Sequence, residues 1–418
     1  MGIYNLKEEN LLAAYPRYHA NDTLYNARIT RVVEGFEKQY NRNNPRIFSA
    51  PGRTEIGGNH TDHQQGCVLA AAVDMDILAT ALPNDTSVIR ILSEGFEPEE
   101  IDISHMEIEE DEKNTSSSLI RGMAAKMTEM GHPIRGFDMY AISSVLKGSG
   151  VSSSAAYEVL LGTVMNELFC EGYFTPVQIA QIGQYAENVY FGKLSGLMDQ
   201  TAASVGGIVA IDFKDNNNPI VEKLDFDFTD SNYSVCIVDS GADHADLSDQ
   251  YSAIPVEMKE VAKMLGATVL REASEEEFQK KMPEIRTALG DRAVFRALHF
   301  FRENRKAQEE ARALNAGDFQ EFLRLVNASG MSSLMYLQNV SVEGSVKNQE
   351  VLYALALCDI LLDGKGAFRV HGGGFAGTVQ AFVPNEMVEE FVAGIEALLG
   401  KGACHVVSIR MAGGVELQ

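Results

Sequence analysis

Apolar residues recur at helical spacing over 22–40, where Ile29, Val32, Val33 and Phe36 share one side and Asp22 or Thr23 can cap the start. The run Arg46-Ile47-Phe48-Ser49-Ala50-Pro51-Gly52-Arg53 then reads as a short strand entering a turn. The stretch 54–65 is rich in Gly, Asn, His and Asp and reads as a long functional loop. Strands are predicted at 67–73, 77–82 and 88–92, and a helix at 116–130 stopped by Gly131. An extended run at 137–145 leads to a helix at 155–169, whose apolar face carries Val159, Leu160, Val164 and Leu168. Thr175-Pro176 opens another helix, reaching about 190, with a cap and a proline at its first position. Strands at 208–213 and 234–238 precede helical patterns at 246–265, 291–315 and 318–328; a strand at 378–383, a helix at 386–399 and a strand at 405–411 finish the chain. The irregular alternation predicts an α+β fold with mixed sheets. A division into 1–210 and 211–418 is expected where Gly206-Gly207 precedes a new run of strands.

Composition narrows the class. The chain has 418 residues, 45% hydrophobic and 22% charged, enough for two or three globular domains with sizeable cores. A formal net charge of −24 argues against a nucleic-acid partner, which needs a basic field, yet leaves room for a nucleotide held by one local loop. Five cysteines, with no C-x-x-C pair, suit a reducing compartment. Neither a secretory pattern at the start nor a membrane-length apolar run is present, so a soluble cytoplasmic protein is expected.

The chemistry begins at Leu146-Lys147-Gly148-Ser149-Gly150-Val151-Ser152-Ser153-Ser154-Ala155-Ala156. A strand, a small-residue loop and a helix start form the layout of an anion site: glycines admit a close phosphate, and helix-start N–H groups point at its charge. Serines add hydroxyls that reach phosphate oxygens or a metal. The Walker pattern and the dinucleotide G-x-G-x-x-G pattern both fail here, the latter because Ser153 takes the third glycine position. A tightly packed helix start is the alternative reading of these residues alone.

Two more glycine-bearing stretches accompany it: Ala50-Pro51-Gly52-Arg53-Thr54-Glu55-Ile56-Gly57-Gly58-Asn59-His60-Thr61-Asp62-His63, and His371-Gly372-Gly373-Gly374-Phe375-Ala376-Gly377. With Met198-Asp199-Gln200, their order and spacing resemble the sugar-kinase branch of the GHMP small-molecule kinases, the galactokinases most closely. The resemblance implies a two-domain architecture of mixed sheets flanked by helices, with the active site in the cleft between domains. It implies ATP-dependent phosphorylation of a monosaccharide, galactose first, at the anomeric hydroxyl, with ATP and Mg²⁺ as the small-molecule partners.

Roles follow by position. Asp199 becomes the base that takes the sugar hydroxyl proton, and Arg53 the cation that polarises it and steadies charge in transfer. Gly148, Ser149, Gly150, Val151, Ser152, Ser153 and Ser154 become the triphosphate cradle. Ser154 and Glu187 become the metal ligands. Asn59, His60, Thr61, Asp62, Gly196 and Tyr251 become the sugar side. Read without the resemblance, Asp199 could equally cap a helix over 201–205, Glu187 could be a solvated helix charge, and Tyr251 a helix-face residue.

The chain departs from the family signature in places. Asn59 stands where galactokinases carry glutamate, Thr54-Glu55 replaces an apolar-Asn pair, Gly57 replaces Ile, His63 replaces Tyr, and His371 replaces Thr. Leu146 replaces a proline. These departures bear on the sugar more than on the reaction, and two alternatives follow: a kinase for N-acetylgalactosamine or arabinose, or a silent sugar- and ATP-binding sensor.

Overall fold

The computed structural model describes residues 4–18, 23–145, 150–193, 195–242 and 247–418. Two sheets carry the molecule. The first contains β1 (Arg46–Gly57), β2 (Cys67–Pro83), β3 (Val88–Ser93), β4 (Glu99–Asp102), β5 (Phe137–Ser143), β6 (Ile208–Asp212), β7 (Ile220–Lys223) and the C-terminal β12 (Val415–Glu416). Its main order is β12-β1-β2-β5-β3-β4, with β6 on β2 and β7 on β6. Among the described residues only the β3–β5 pairing is parallel, so the sheet is mixed. The second, antiparallel sheet is β11-β8-β10-β9, from Tyr233–Asp239 (β8), Ala367–Val370 (β9), Thr378–Pro384 (β10) and Cys404–Val407 (β11).

Side-chain alternation shows how the second sheet is buried. On β8, Val235 and Ile237 join the large core shared with the first sheet, while Cys236 and Val238 join a core with Val351 and Cys358 of helix Glu350–Leu362 and Phe391 and Ile395 of helix Val388–Leu399. Both faces are covered, which is why β8 and β10 read as near-continuous apolar runs. All five cysteines are free and buried. No helix among the described residues is long and apolar enough to cross a membrane.

The α+β expectation holds, with local corrections. The turn expected at Pro51-Gly52 is strand: β1 runs on to Gly57, and shifts of register between Pro51 and Arg53 and between Glu55 and Gly57 absorb the irregular residues. The long loop therefore narrows to 58–66, a hairpin tip with one helical turn at Asp62–Gln64. Polarity is misleading here, because Thr54 and Glu55 are buried strand residues whose partners, Gln380, His371 and Arg369, lie far along the chain. For the same reason 67–73 and 77–82 are one strand. Asp76 in its middle is fully buried but bonded by Tyr15, Ser49 and Arg28. The last strand ends at Val407 rather than 411, with an isolated bridge between Val73 and Ile409 beyond it.

The division at 210/211 falls inside β6, which is hydrogen-bonded into the first sheet; the change of sheet comes between Lys223 and Tyr233, and β12 then returns to β1. Helices Glu8–Ala14, Glu275–Leu289 and Glu350–Leu362 and the short strands β4, β7, β9 and β12 escaped the pattern.

This topology delivers three loops to one place. The signature loop is the β1–β2 tip, the glycine loop 371–377 is the β9–β10 tip, and the serine loop joins β5 to helix Ser153–Phe169.

Candidate active site

Arg53 lies within β1, nearly buried, and reaches three partners. Its Nε and Nη2 donate to Asp199 Oδ1 and Oδ2 at 2.6 and 2.9 Å, a two-point fork, and its Nη1 donates to the Gly150 carbonyl at 2.5 Å. Its backbone N–H donates to the Val151 carbonyl at 2.9 Å. The serine loop crosses β1 so closely that a Cβ on Gly52 would stand 2.7 Å from that carbonyl. Gly148 and Ser149 lie outside the described residues, as do Leu146 and Lys147.

Asp199 lies in the first turn of helix Met198–Val205, where the helix dipole favours a negative charge. Its side chain is 31% exposed, so it is both held and reachable. Ser152 Oγ donates to its Oδ2 at 2.7 Å. Burial pushes the Asp199 carboxyl up, but the Arg53 charge and hydrogen bonds, with Ser152, outweigh it and hold the group below the usual aspartate value. Ser152 sits at φ +57 as the N-cap of helix Ser153–Phe169, yet its side chain makes no cap bond. The first-turn N–H groups of that helix are left without a side-chain cap, which is the condition for an anion there.

Ser154 and Glu187 come together as expected, with more company. Ser154 Oγ lies 3.0 Å from Glu158 Oε1 and 3.5 Å from Glu187 Oε1. Gln200 Nε2 bridges the two carboxylates at 3.0 Å each, and Lys193 Nζ donates to Glu187 at 2.9 Å. Glu187 falls in a π-helical segment, Ala186–Phe191, that ends the helix begun by Thr175-Pro176. Burial, then the neighbouring Glu187, pushes the Glu158 carboxyl up to about 8. Two buried carboxylates and a hydroxyl make a donor set that suits a hard divalent cation. Glu158 was missed, although its position four residues after Ser154 on one helix was a usable signal.

Of the signature-loop residues expected to face a sugar, His60 keeps an unpartnered ring nitrogen and Asp62 is half-buried, whereas Asn59 and Thr61 are bonded within the protein. His60 Nε2 donates to the Gly373 carbonyl at 2.9 Å, which leaves Nδ1 as an acceptor, buried and without a partner. Burial, then His63, lowers the ring's pKa to about 4, so it is neutral at physiological pH. Thr61, fully buried, directs its hydroxyl to the Gly58 and Cys67 carbonyls, 2.8 and 2.7 Å away. Thr61 therefore holds the loop in shape, a correction to its expected sugar contact. Asn59 is also fully buried, and its amide is occupied by Glu55, Gly372, Ser333 and Asn339. Gly57, where the signature carries Ile, leaves room for a buried carboxyl: a Cβ there would stand 1.7 Å from Glu310 Oε2.

Asp62 and Gly196 meet across the cleft, where a Cβ on Gly196 would lie 2.6 Å from Asp62 Oδ2. Gly196→Ala is therefore expected to displace the carboxylate and raise the sugar KM roughly ten- to hundredfold, with the ATP KM within about twofold of wild type. Steady-state kinetics with each substrate varied in turn checks this; an unchanged sugar KM would remove Asp62 from the sugar site.

Tyr251, on helix Ser248–Met264, donates its hydroxyl to the Gly374 carbonyl at 2.8 Å and stands edge-on to Phe375. It supports the glycine loop. His371 is buried between strands, bonded to Thr54 and Thr378 at 2.9 Å each, and burial, then the Arg53 charge, keeps it neutral. A cavity of about 260 Å³ joins these parts, lined by Arg53, Gly150, Ser152, Tyr251, Gly372 and Gly374 among others.

Comparison with known proteins agrees with this geometry. Residues 34–83 match the galactokinase galactose-binding signature, and residues 118–207 match the GHMP kinases N terminal domain. The galactokinase of Lacticaseibacillus casei (strain BL23) is 31% identical over 370 residues, covering 87% of this chain and 92% of that protein. That of Enterococcus faecalis is 27% identical over 367 residues, covering 87% and 92%. The crystal structure of Lactococcus lactis galactokinase complexed with galactose superposes with a TM-score of 0.78 at 24% identity, covering 93% of this chain and 100% of that one. The L. major mevalonate kinase, solved in complex with R-mevalonate, shares the fold at a TM-score of 0.57, covering 87% and 96% at 14% identity. Fold and loops thus define a GHMP-type small-molecule kinase. Within that class, the chain belongs to the galactokinase family.

Proposed function

We propose that the protein transfers the γ-phosphoryl group of ATP to the anomeric hydroxyl of galactose, giving galactose 1-phosphate and ADP. The observation that carries this is the Arg53 fork on Asp199 beside an uncapped helix start: a held but reachable carboxylate facing a phosphate site. In the reaction the hydroxyl oxygen bonds to the γ-phosphorus, the bond from that phosphorus to the β,γ-bridging oxygen breaks, and its electron pair leaves on ADP. Asp199 accepts the hydroxyl proton. Because phosphoryl transfer runs through a loose transition state, a weakly basic carboxylate suffices, and positioning with charge stabilisation dominates. Arg53, the serine-loop N–H groups and Lys193 supply that charge stabilisation.

Ser154 and Glu187, with Glu158, would hold Mg²⁺, whose charge offsets that of the β- and γ-phosphates. A second cavity offers room for the nucleobase. It measures about 410 Å³, is lined by Ile77, Phe96, Ile142, Val145 and Tyr157 with Glu94, Glu97 and Glu99 among the polar residues, and borders Ser153 at the helix start. Its walls come from several separate elements, so no local motif marks it. The Tyr157 hydroxyl is buried without a partner beside this cavity.

A panel of galactose, N-acetylgalactosamine and arabinose with Mg-ATP, scored for sugar 1-phosphate, tests the reading. Galactose is expected to be turned over best. Preference for another sugar would relocate the specificity, and ATP binding without any turnover would leave the sensor reading.

A further inference from the structure

Three successive carbonyls of the glycine loop are drawn back into the protein. The Gly372 carbonyl accepts from Asn59 Nδ2 at 2.6 Å, the Gly373 carbonyl from His60 Nε2 at 2.9 Å and Asn339 Nδ2 at 3.1 Å, and the Gly374 carbonyl from the Tyr251 hydroxyl at 2.8 Å. A trans peptide sets its C=O and the following N–H on opposite sides. The N–H groups of Gly373 and Gly374 are therefore turned away from Asn59, His60 and Asn339. Neither has an acceptor among the described residues. Gly372 and Gly374 have φ of +65 and +79, the left-handed turns that bring successive N–H groups into one concavity. That stretch lines the cavity shared with Arg53, Ser152 and Ser153.

We propose that Asn59 is a positioning residue for phosphoryl transfer: with Asn339 it anchors the glycine loop so that the Gly373 and Gly374 N–H groups face the γ-phosphoryl as donors. The assignment rests on the kinase reading above and changes what the signature departure means. Asn59 does not replace a sugar ligand. Glu55 and Asn59 are two departures that compensate one another: Asn59 Nδ2 donates to Glu55 Oε1 at 2.9 Å, and Arg369 Nη2 donates to the same oxygen at 2.7 Å. The signature's amide and carboxylate have changed places along this stretch, and the exchange leaves an amide N–H where the Gly372 carbonyl needs a donor. The other half of the amide accepts from Asn339 Nδ2 at 2.9 Å, so both anchors of the loop are tied to each other.

Asn59→Asp keeps the shape and removes the donor. It is expected to weaken binding of a non-hydrolysable ATP analogue with Mg²⁺ roughly tenfold by calorimetry and to lower kcat, with the galactose KM within about twofold of wild type. Because the new carboxylate also faces Glu55, the double variant Glu55→Gln/Asn59→Asp is measured beside it. In that variant the amide at position 55 can donate to the carboxylate at position 59 while still accepting from Arg369, so the melting temperature should return to near wild type while nucleotide affinity stays low. Recovery of nucleotide affinity in the double variant, or a rise in the galactose KM with nucleotide affinity intact, overturns the proposal. If the wild-type protein turned over no sugar, the kinase reading would fall, and the nucleotide titrations would still decide the role of Asn59.

Discussion

Asp199→Asn is expected to lower kcat by about 10²–10⁴, the range that a positioned general base contributes, while affinity for the ATP analogue stays within a few-fold of wild type. Shape is conserved in this change, and the amide can still accept one bond from Arg53. What is lost is the proton acceptor and one full negative charge beside the attacking hydroxyl. Because Arg53 and Ser152 hold the native carboxyl below its usual value, it is ionised throughout the neutral range. The acid limb of the kcat/KM profile for sugar that Asp199 controls should therefore lie below the ordinary aspartate range, and activity should not fall on its account between pH 7 and 5. Single-turnover rates with saturating Mg-ATP measure the first expectation. Retention of most activity by Asp199→Asn would show that the hydroxyl proton goes elsewhere.

Arg53→Lys should cost about 10²-fold in kcat, on the order of 3 kcal/mol, the scale seen when one preorganised donor to a reacting centre is removed. Charge is kept in this variant, but geometry is not. Lysine has no planar fork, so it cannot hold both Asp199 oxygens and the Gly150 carbonyl together. The sign of the pH effect follows from the same contacts. Burial alone raises the Asp199 carboxyl, and weakening the opposing cation lets that rise show. The acid limb in Arg53→Lys should therefore move to higher pH than in wild type. A limb that stays in place would mean that Ser152 and the helix dipole, rather than Arg53, set the carboxylate.

The backbone N–H of Arg53 and the Val151 carbonyl remain paired in either variant, so the serine loop should keep its seat on β1. This lets both experiments read chemistry rather than loop collapse. The buried Arg369–Glu55 pair at 2.7 Å is likewise untouched, and with it the tie between the two sheets.

The amphipathic helices at 23–40 and 291–315 follow directly from periodicity, because such a helix's burial is written in its own 3.6-residue spacing. Capping is equally local: Thr175 caps its helix as expected, and Gln178 completes a capping box with it. Arg53, Asp199, Ser154 and Glu187 stood out from ordered motifs and their spacing, and the fold pairs Arg53 with Asp199 and sets Ser154 beside Glu187.

What the sequence by itself determined, then, was most of the long helices and strands and the residue types of the three glycine-bearing loops. Only the tertiary structure decided which way the polar residues of the signature face. Asn59 and Thr61 turn inward, His60 keeps a free acceptor, and Thr54 and Glu55 extend a strand instead of a loop, each because its partner arrives from more than two hundred residues away or from a backbone carbonyl of the folded loop. A buried polar side chain points toward whichever group satisfies it. That group is fixed by packing, and no period or motif in the chain records it. The cavity of about 410 Å³ is the same case, since its walls become neighbours only once β2, β5 and helix Ser153–Phe169 have packed together.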